Sequence, residues 1–117
     1  MSGKNATVLP LKDFRARRQT LYFNRAELNQ LLGLYSRNVA RGVWRDYAID
    51  HRDGLALFSV FRHTQEGPLY TISKSTVAGA AEFSVMAGRQ RLRGARSLRE
   101  ALDYFHTNLT VVSAASF

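Results

Sequence analysis

The chain contains no cysteine. That excludes a disulfide framework, a thiolate nucleophile and any Cys-based metal site. Acidic residues are scarce, nine Asp+Glu against seventeen Lys+Arg. No apolar run approaches membrane-spanning length, and the N-terminus lacks an apolar core of signal-peptide length. The expectation is a cytoplasmic protein with no membrane partner. There is no Gly-rich phosphate loop between a strand and a helix, and no Ser-centred nucleophile elbow. His51, His63 and His106 lack a ligand spacing such as an i, i+4 pair on one helix, so no metal site is assigned. Neither a cofactor nor a small-molecule substrate is evident.

What is present is an ordinary globular composition carrying an unusual charge. The 117 residues are 45% hydrophobic and 22% charged, with a net charge of +8, enough for one domain with a real core. Fourteen of the seventeen cations are arginine, the better planar, bidentate partner for phosphate and carboxylate. The balance favours a polyanionic partner, either nucleic acid or an acidic protein surface. The competing reading is a basic soluble protein whose charge serves solubility alone.

Residues 1–18 read as a basic N-terminal arm, with Pro10 and the run Lys12 to Arg18 (KDFRARR). They carry too little apolar surface to offset ordering entropy. Residues 19–109 form the domain and residues 110–117 a small apolar tail, frayed or adding an edge strand. Leu21-Tyr22-Phe23 suggests a short strand. Asn24 to Glu27 has the form of a capping box, opening a helix with Leu28, Leu31, Leu32, Tyr35 and Val39 on one stripe and Leu34 off it. Gly42 is its left-handed C′ residue. Ser97 to Glu100 is a second capping box, opening a helix with Leu98, Ala101, Leu102, Phe105 and Leu109 on one side.

Between the helices lie strands. Asp53-Gly54 closes a hairpin that pairs Tyr47 with Val60 and Ile49 with Phe58. A third strand over Pro68 to Lys74 sets Tyr70 opposite Val60 and Ile72 opposite Phe58. One face (Tyr47, Ile49, Phe58, Val60, Tyr70, Ile72) is a core face. The other holds Trp44, Asp46, Ala48, Asp50, Leu57, Ser59, Phe61, Leu69, Thr71 and Ser73. Ser75 to Ala81 reads as a loop. A second hairpin turns at Ala87-Gly88, with Phe83, Val85 and Leu92 on one side and Glu82, Ser84, Arg89, Arg91 and Arg93 on the other. The fold class is α+β: a single domain, an antiparallel sheet of about five strands with both helices packed on one face.

Two surfaces could carry function. Arg89, Arg91 and Arg93 alternate and so share a strand face, and Arg96 and Arg99 follow. Arg99 sits in a helix's first turn, where the macrodipole disfavours a cation. Arg15, Arg17 and Arg18 of the arm could add phosphate contacts. Aromatics are sparse near this stripe, which argues for backbone contacts over base reading. The alternative for the stripe is a solvated edge strand blunted with charge. The second surface is Trp44, Phe61 and Leu69 beside Asp46, an exposed cluster with the composition of an interface hot spot, open to a protein partner or a second copy of the chain. Asp46 and Asp50 share a face and could in principle act as acid and base, but neighbouring arginines make ion pairs the plainer account, and no catalytic residue is assigned.

The strings WRDYAID (44–50), FSVFR (58–62), PLY (68–70) and RG (93–94) resemble a family of small bacterial proteins, domain of unknown function 2794, from about Phe23 to Leu109. The family pattern often has an acidic residue where this chain has Val43, and a basic stretch where it has Ala80-Ala81-Glu82. The resemblance implies a small bacterial cytoplasmic protein and carries no activity or site residues. The reading is a non-enzymatic basic module contacting nucleic acid or another polyanion through the Arg-rich hairpin. The alternative is a protein–protein adaptor docking through Trp44, Asp46, Phe61 and Leu69.

Overall fold

The computed structural model describes residues 20–63 and 65–115, with side chains described as far as His106. Helix α1 (Arg25–Ala40) leads into strands β1 (Asp46–Arg52), β2 (Leu55–Phe61), β3 (Tyr70–Val77), β4 (Ala80–Ala87) and β5 (Gln90–Ala95), and helix α2 (Leu98–Ala115) follows. The five strands pair in chain order as an antiparallel meander. The result is the expected α+β class.

Local chemistry sets the element ends. At α1 the Asn24 side chain accepts from Glu27 N and Glu27 Oε1 accepts from Asn24 N, both at 2.8 Å, a reciprocal capping box. Gly42 follows the C-cap at φ 78, where a side chain would be strained. Asp53 and Gly54 both take positive φ, as a two-residue turn matched to strand twist requires. The pairs Tyr47–Val60, Ile49–Phe58, Val60–Tyr70 and Phe58–Ile72 form as expected. At α2, Ser97 Oγ accepts from Glu100 N at 3.2 Å.

Both helices cover the face that carries Ala56, Phe58, Val60, Ile72, Phe83 and Val85, all buried. Leu31 and Leu34 of α1 and Leu98, Ala101 and Phe105 of α2 complete this core. Lys74 belongs to the same face. Its ammonium reaches Tyr22 O at 2.9 Å and Glu27 Oε1 at 2.8 Å, tying β3 to the start of α1. On the opposite face Leu57, Ser59, Phe61, Thr71, Ser73, Ser84 and Met86 are half-buried, with no element of the described chain laid over them.

Several expectations are corrected. Residues 21–23 are irregular, not a strand. Residues 75–77 continue β3, and a second turn with positive φ at Ala78 and Gly79 replaces the expected loop. Helix α2 runs through Ala115, so residues 110–115 are helix and not an edge strand. In α1 it is Leu34, not Val39, that is buried. The core face admits Leu31, Leu34 and Asn38, rotating the buried stripe away from the one that hydrophobicity alone marks.

The largest correction concerns Trp44. It is 2% exposed, a core residue, with its ring edge-to-face on Phe105 at 5.5 Å. Strand parity extended from Asp46 placed it on the open face. The strand begins at Asp46, however, and the preceding backbone is held differently: Val43 N and Trp44 N both donate to Asn38 O, at 3.0 and 3.3 Å. Conversely, Tyr47 and Ile49, expected in the core, are 39% and 40% exposed. They lie on the covered face, but β1 is an edge strand and the helices cover it only in part.

Candidate polyanion surface

The β4–β5 hairpin turns at Gly88, with Ala87 opposite Gln90. Met86 is opposite Arg91, yet Val85 is opposite Arg93, so β5 carries one extra residue at Leu92. Such a bulge breaks the period-two alternation. Arg91 therefore shares the open face with Glu82, and Arg93 lies on the helix-covered face beside Val85. The expectation that Arg89, Arg91 and Arg93 share one face is overturned.

Each of these side chains has a different engagement. Arg91 Nη2 meets Glu82 Oε2 at 2.8 Å. To get there its guanidinium crosses directly over Gly94, where a Cβ would lie 1.7 Å from Nη2. Arg93 Nη1 donates to Glu100 O in the first turn of α2, at 3.1 Å. Arg89 at the turn, Arg96 in the connection to α2, and Arg99 in the first turn of α2 are exposed. Arg15, Arg17 and Arg18 lie outside the described residues.

A second basic site lies between the helices. One open groove is lined by Arg37 and Gln30 of α1 and by Arg99, Asp103 and His106 of α2. It continues into a second, lined by Arg37, Asn38 and Arg41 on one side and Phe105 and His106 on the other. Asn38 is 2% exposed. Its Nδ2 donates to Leu34 O at 2.9 Å, and its Oδ1 finds no partner among the described residues. Arg37 and Arg41 are four apart on α1, and Arg99 and His106 seven apart on α2, so each pair shares a helix face. Those spacings are legible in the sequence. That the two faces meet is a tertiary fact and is not.

The carboxylates of β1 are used locally. Asp46 Oδ1 accepts from Tyr47 N, and Asp50 Oδ1 from His51 N, each at 2.8 Å. The Arg52 guanidinium hydrogen-bonded to Asp50, helped by the His51 N–H, lowers the Asp50 pKa below its usual value. Phe61 is half-buried and paired with Asp46, while half-buried Leu69 packs against the core. With Trp44 inside, the four residues Trp44, Asp46, Phe61 and Leu69 do not form one exposed cluster.

The class these features define is a small α+β domain with a one-sided antiparallel meander and two helices on its covered face. The chain belongs to the family described as "Protein of unknown function (DUF2794)", which it matches over residues 21–95. No curated protein matches it, and no solved structure does. Among the described residues, no helix is long and apolar enough to cross a membrane.

Proposed function

We propose that the protein is a non-enzymatic binding module that contacts the phosphate backbone of a nucleic acid. The supporting observation is the juxtaposition of Arg37 and Arg99 in one groove. Arg99 stands at a helix start, where the dipole opposes a cation, and faces a second cation from another helix. Neither has an ion-pair partner among the described residues. Asp103 lines the same groove, and one carboxylate against two guanidinium groups leaves an excess of positive charge that favours an anion, for which phosphate suits their bidentate geometry. Arg41 lines the adjoining groove, and Arg96 and Arg89 are further exposed cations. Arg91 and Arg93 contribute less, because Glu82 and the Glu100 carbonyl already engage them.

The test is a titration of labelled duplex DNA and RNA across a salt series. Binding that weakens log-linearly with salt supports the reading. An absence of measurable binding to either at low salt would refute it. Docking through Trp44 has no such support, since Trp44 is buried.

A further inference from the structure

We infer that the free edge of β1 is a dimerisation edge, pairing antiparallel with β1 of a second copy about a two-fold axis at Ile49. β1 has a hydrogen-bonded neighbour on one side only. Its two-residue turn closes on the pair Arg52–Leu55, and such a turn closes on a hydrogen-bonded pair. Alternation then points the backbone groups of Arg52, Asp50, Ala48 and Asp46 toward β2, and those of His51, Ile49 and Tyr47 outward. The local hydrogen bonds agree, for the outward N–H groups of Tyr47 and His51 are those that Asp46 and Asp50 accept from.

The strand is self-complementary in one register. With Ile49 on the axis, Ile49 faces the second copy's Ile49 and Tyr47 faces the second copy's His51. Asp46 then faces the second copy's Arg52. All three outward residues fall in hydrogen-bonded pairs, as an added strand requires. Sliding by two residues one way sets Asp46 opposite the second copy's Asp50. Sliding the other way sets Asp50 opposite the second copy's Asp50. Like charges directly opposite disfavour both. The charges thus select the register that also joins the apolar side chains.

The cost in monomer contacts is small. Tyr47 N and His51 N exchange an Asp oxygen for a carbonyl of the other copy, one hydrogen bond for another. The released Asp46 carboxylate turns to the second copy's Arg52, which is exposed and holds its own Asp50 through Nε and Nη2, so Nη1 is the group that meets Asp46. On the covered face, Tyr47 and Ile49 lose the exposure that sets them apart from the other apolar residues of the sheet core. Tyr22, whose ring lies 4.5 Å from that of His51, extends the aromatic row. One strand pair is small beside an obligate interface, so monomer and dimer exchange with concentration.

The experiment uses the full chain in sedimentation equilibrium over a concentration series. The expected result is a species of twice the 13.2 kDa chain mass. Asp46→Arg alone and Arg52→Asp alone should each lower the dimer fraction, and the double variant, which swaps the pair, should restore it. Circular dichroism checks that each variant folds. Because the chain lacks cysteine, Ile49→Cys supplies a single thiol on the axis, at a strand-pair spacing a disulfide can span. Mild oxidation should cross-link it rapidly, and should leave Val77→Cys, at a 53% exposed site, mostly monomeric. A wild-type chain that stays monomeric up to its solubility limit overturns the inference. So does a dimer indifferent to Asp46→Arg, or a Val77→Cys variant that cross-links as fast as Ile49→Cys.

Discussion

The Arg91 guanidinium lies across Gly94 on its way to Glu82, in the space that any side chain at position 94 would take. Gly94→Ala must push Arg91 aside. The obstacle is the far end of a flexible side chain, and the ion pair is half-exposed, so its loss costs about 0.2–1 kcal/mol. Removing a strand glycine returns about 0.5–1 kcal/mol. The single substitution should therefore be close to neutral in urea denaturation. The decisive quantity is the coupling: Gly94→Ala should stabilise an Arg91→Ala background more than it does the wild type. Equal effects in both backgrounds would show that Gly94 does not serve Arg91.

Trp44 is a core anchor, sealed against Phe105 and near Tyr70. Trp44→Ala should cost about 3–5 kcal/mol, the range for truncating a buried large aromatic. Trp44→Phe should retain much of that stability. Trp44 is the chain's single tryptophan, so its emission reports the core directly. It should be blue-shifted in the native protein and shift red in one cooperative urea transition. A solvent-exposed spectrum in the folded state would contradict the burial.

Much of this was legible beforehand because it is local or periodic. The Asn24–Glu27 box, the Gly42 cap, the Asp53-Gly54 turn and the register of β1 to β3 each follow from a few adjacent residues or from period two. The failures share a cause. Trp44 lies two residues before the strand whose parity was extended to it. Arg93 lies beyond a bulge that no residue type announces, and the alternation Arg89, Arg91, Arg93 reads straight through it. Tyr47 and Ile49 are on the correct face, but how far a helix reaches over an edge strand depends on helix placement. The Arg37–Arg99 groove needs two helices to meet, and neither helix encodes that alone.

Tyr70 is half-buried among Trp44, Phe105 and Tyr104. Burial, with Tyr104 adding to it, raises its pKa above the usual value. A raised pKa means the folded state favours the neutral phenol. Its stabilising effect is present below the ordinary tyrosine pKa of about 10 and is lost as pH rises through the higher folded value. Wild-type stability should therefore fall as pH rises through that alkaline window. Tyr70→Phe should flatten the fall while leaving the protein folded at neutral pH. Parallel urea midpoints for the two proteins across the window would assign the alkaline loss elsewhere.

The nucleic-acid reading makes a ranked prediction among the arginines. Each phosphate neutralised on duplex DNA contributes about 0.9 to the slope of log K against log salt. Arg37, Arg41 and Arg99 line the interhelical grooves and have no ion pair among the described residues. Replacing all three by Ala should lower the slope by up to about three units. Arg91 and Arg93 diverge to opposite faces of the sheet and already hold Glu82 and the Glu100 carbonyl. Their joint replacement should lower the slope by less than the two units or so that two free phosphate contacts would give. The reverse ranking, with the hairpin pair dominating, would move the contact surface to β5 and away from the groove. Equal, negligible effects from both sets would leave neither surface in contact with the duplex.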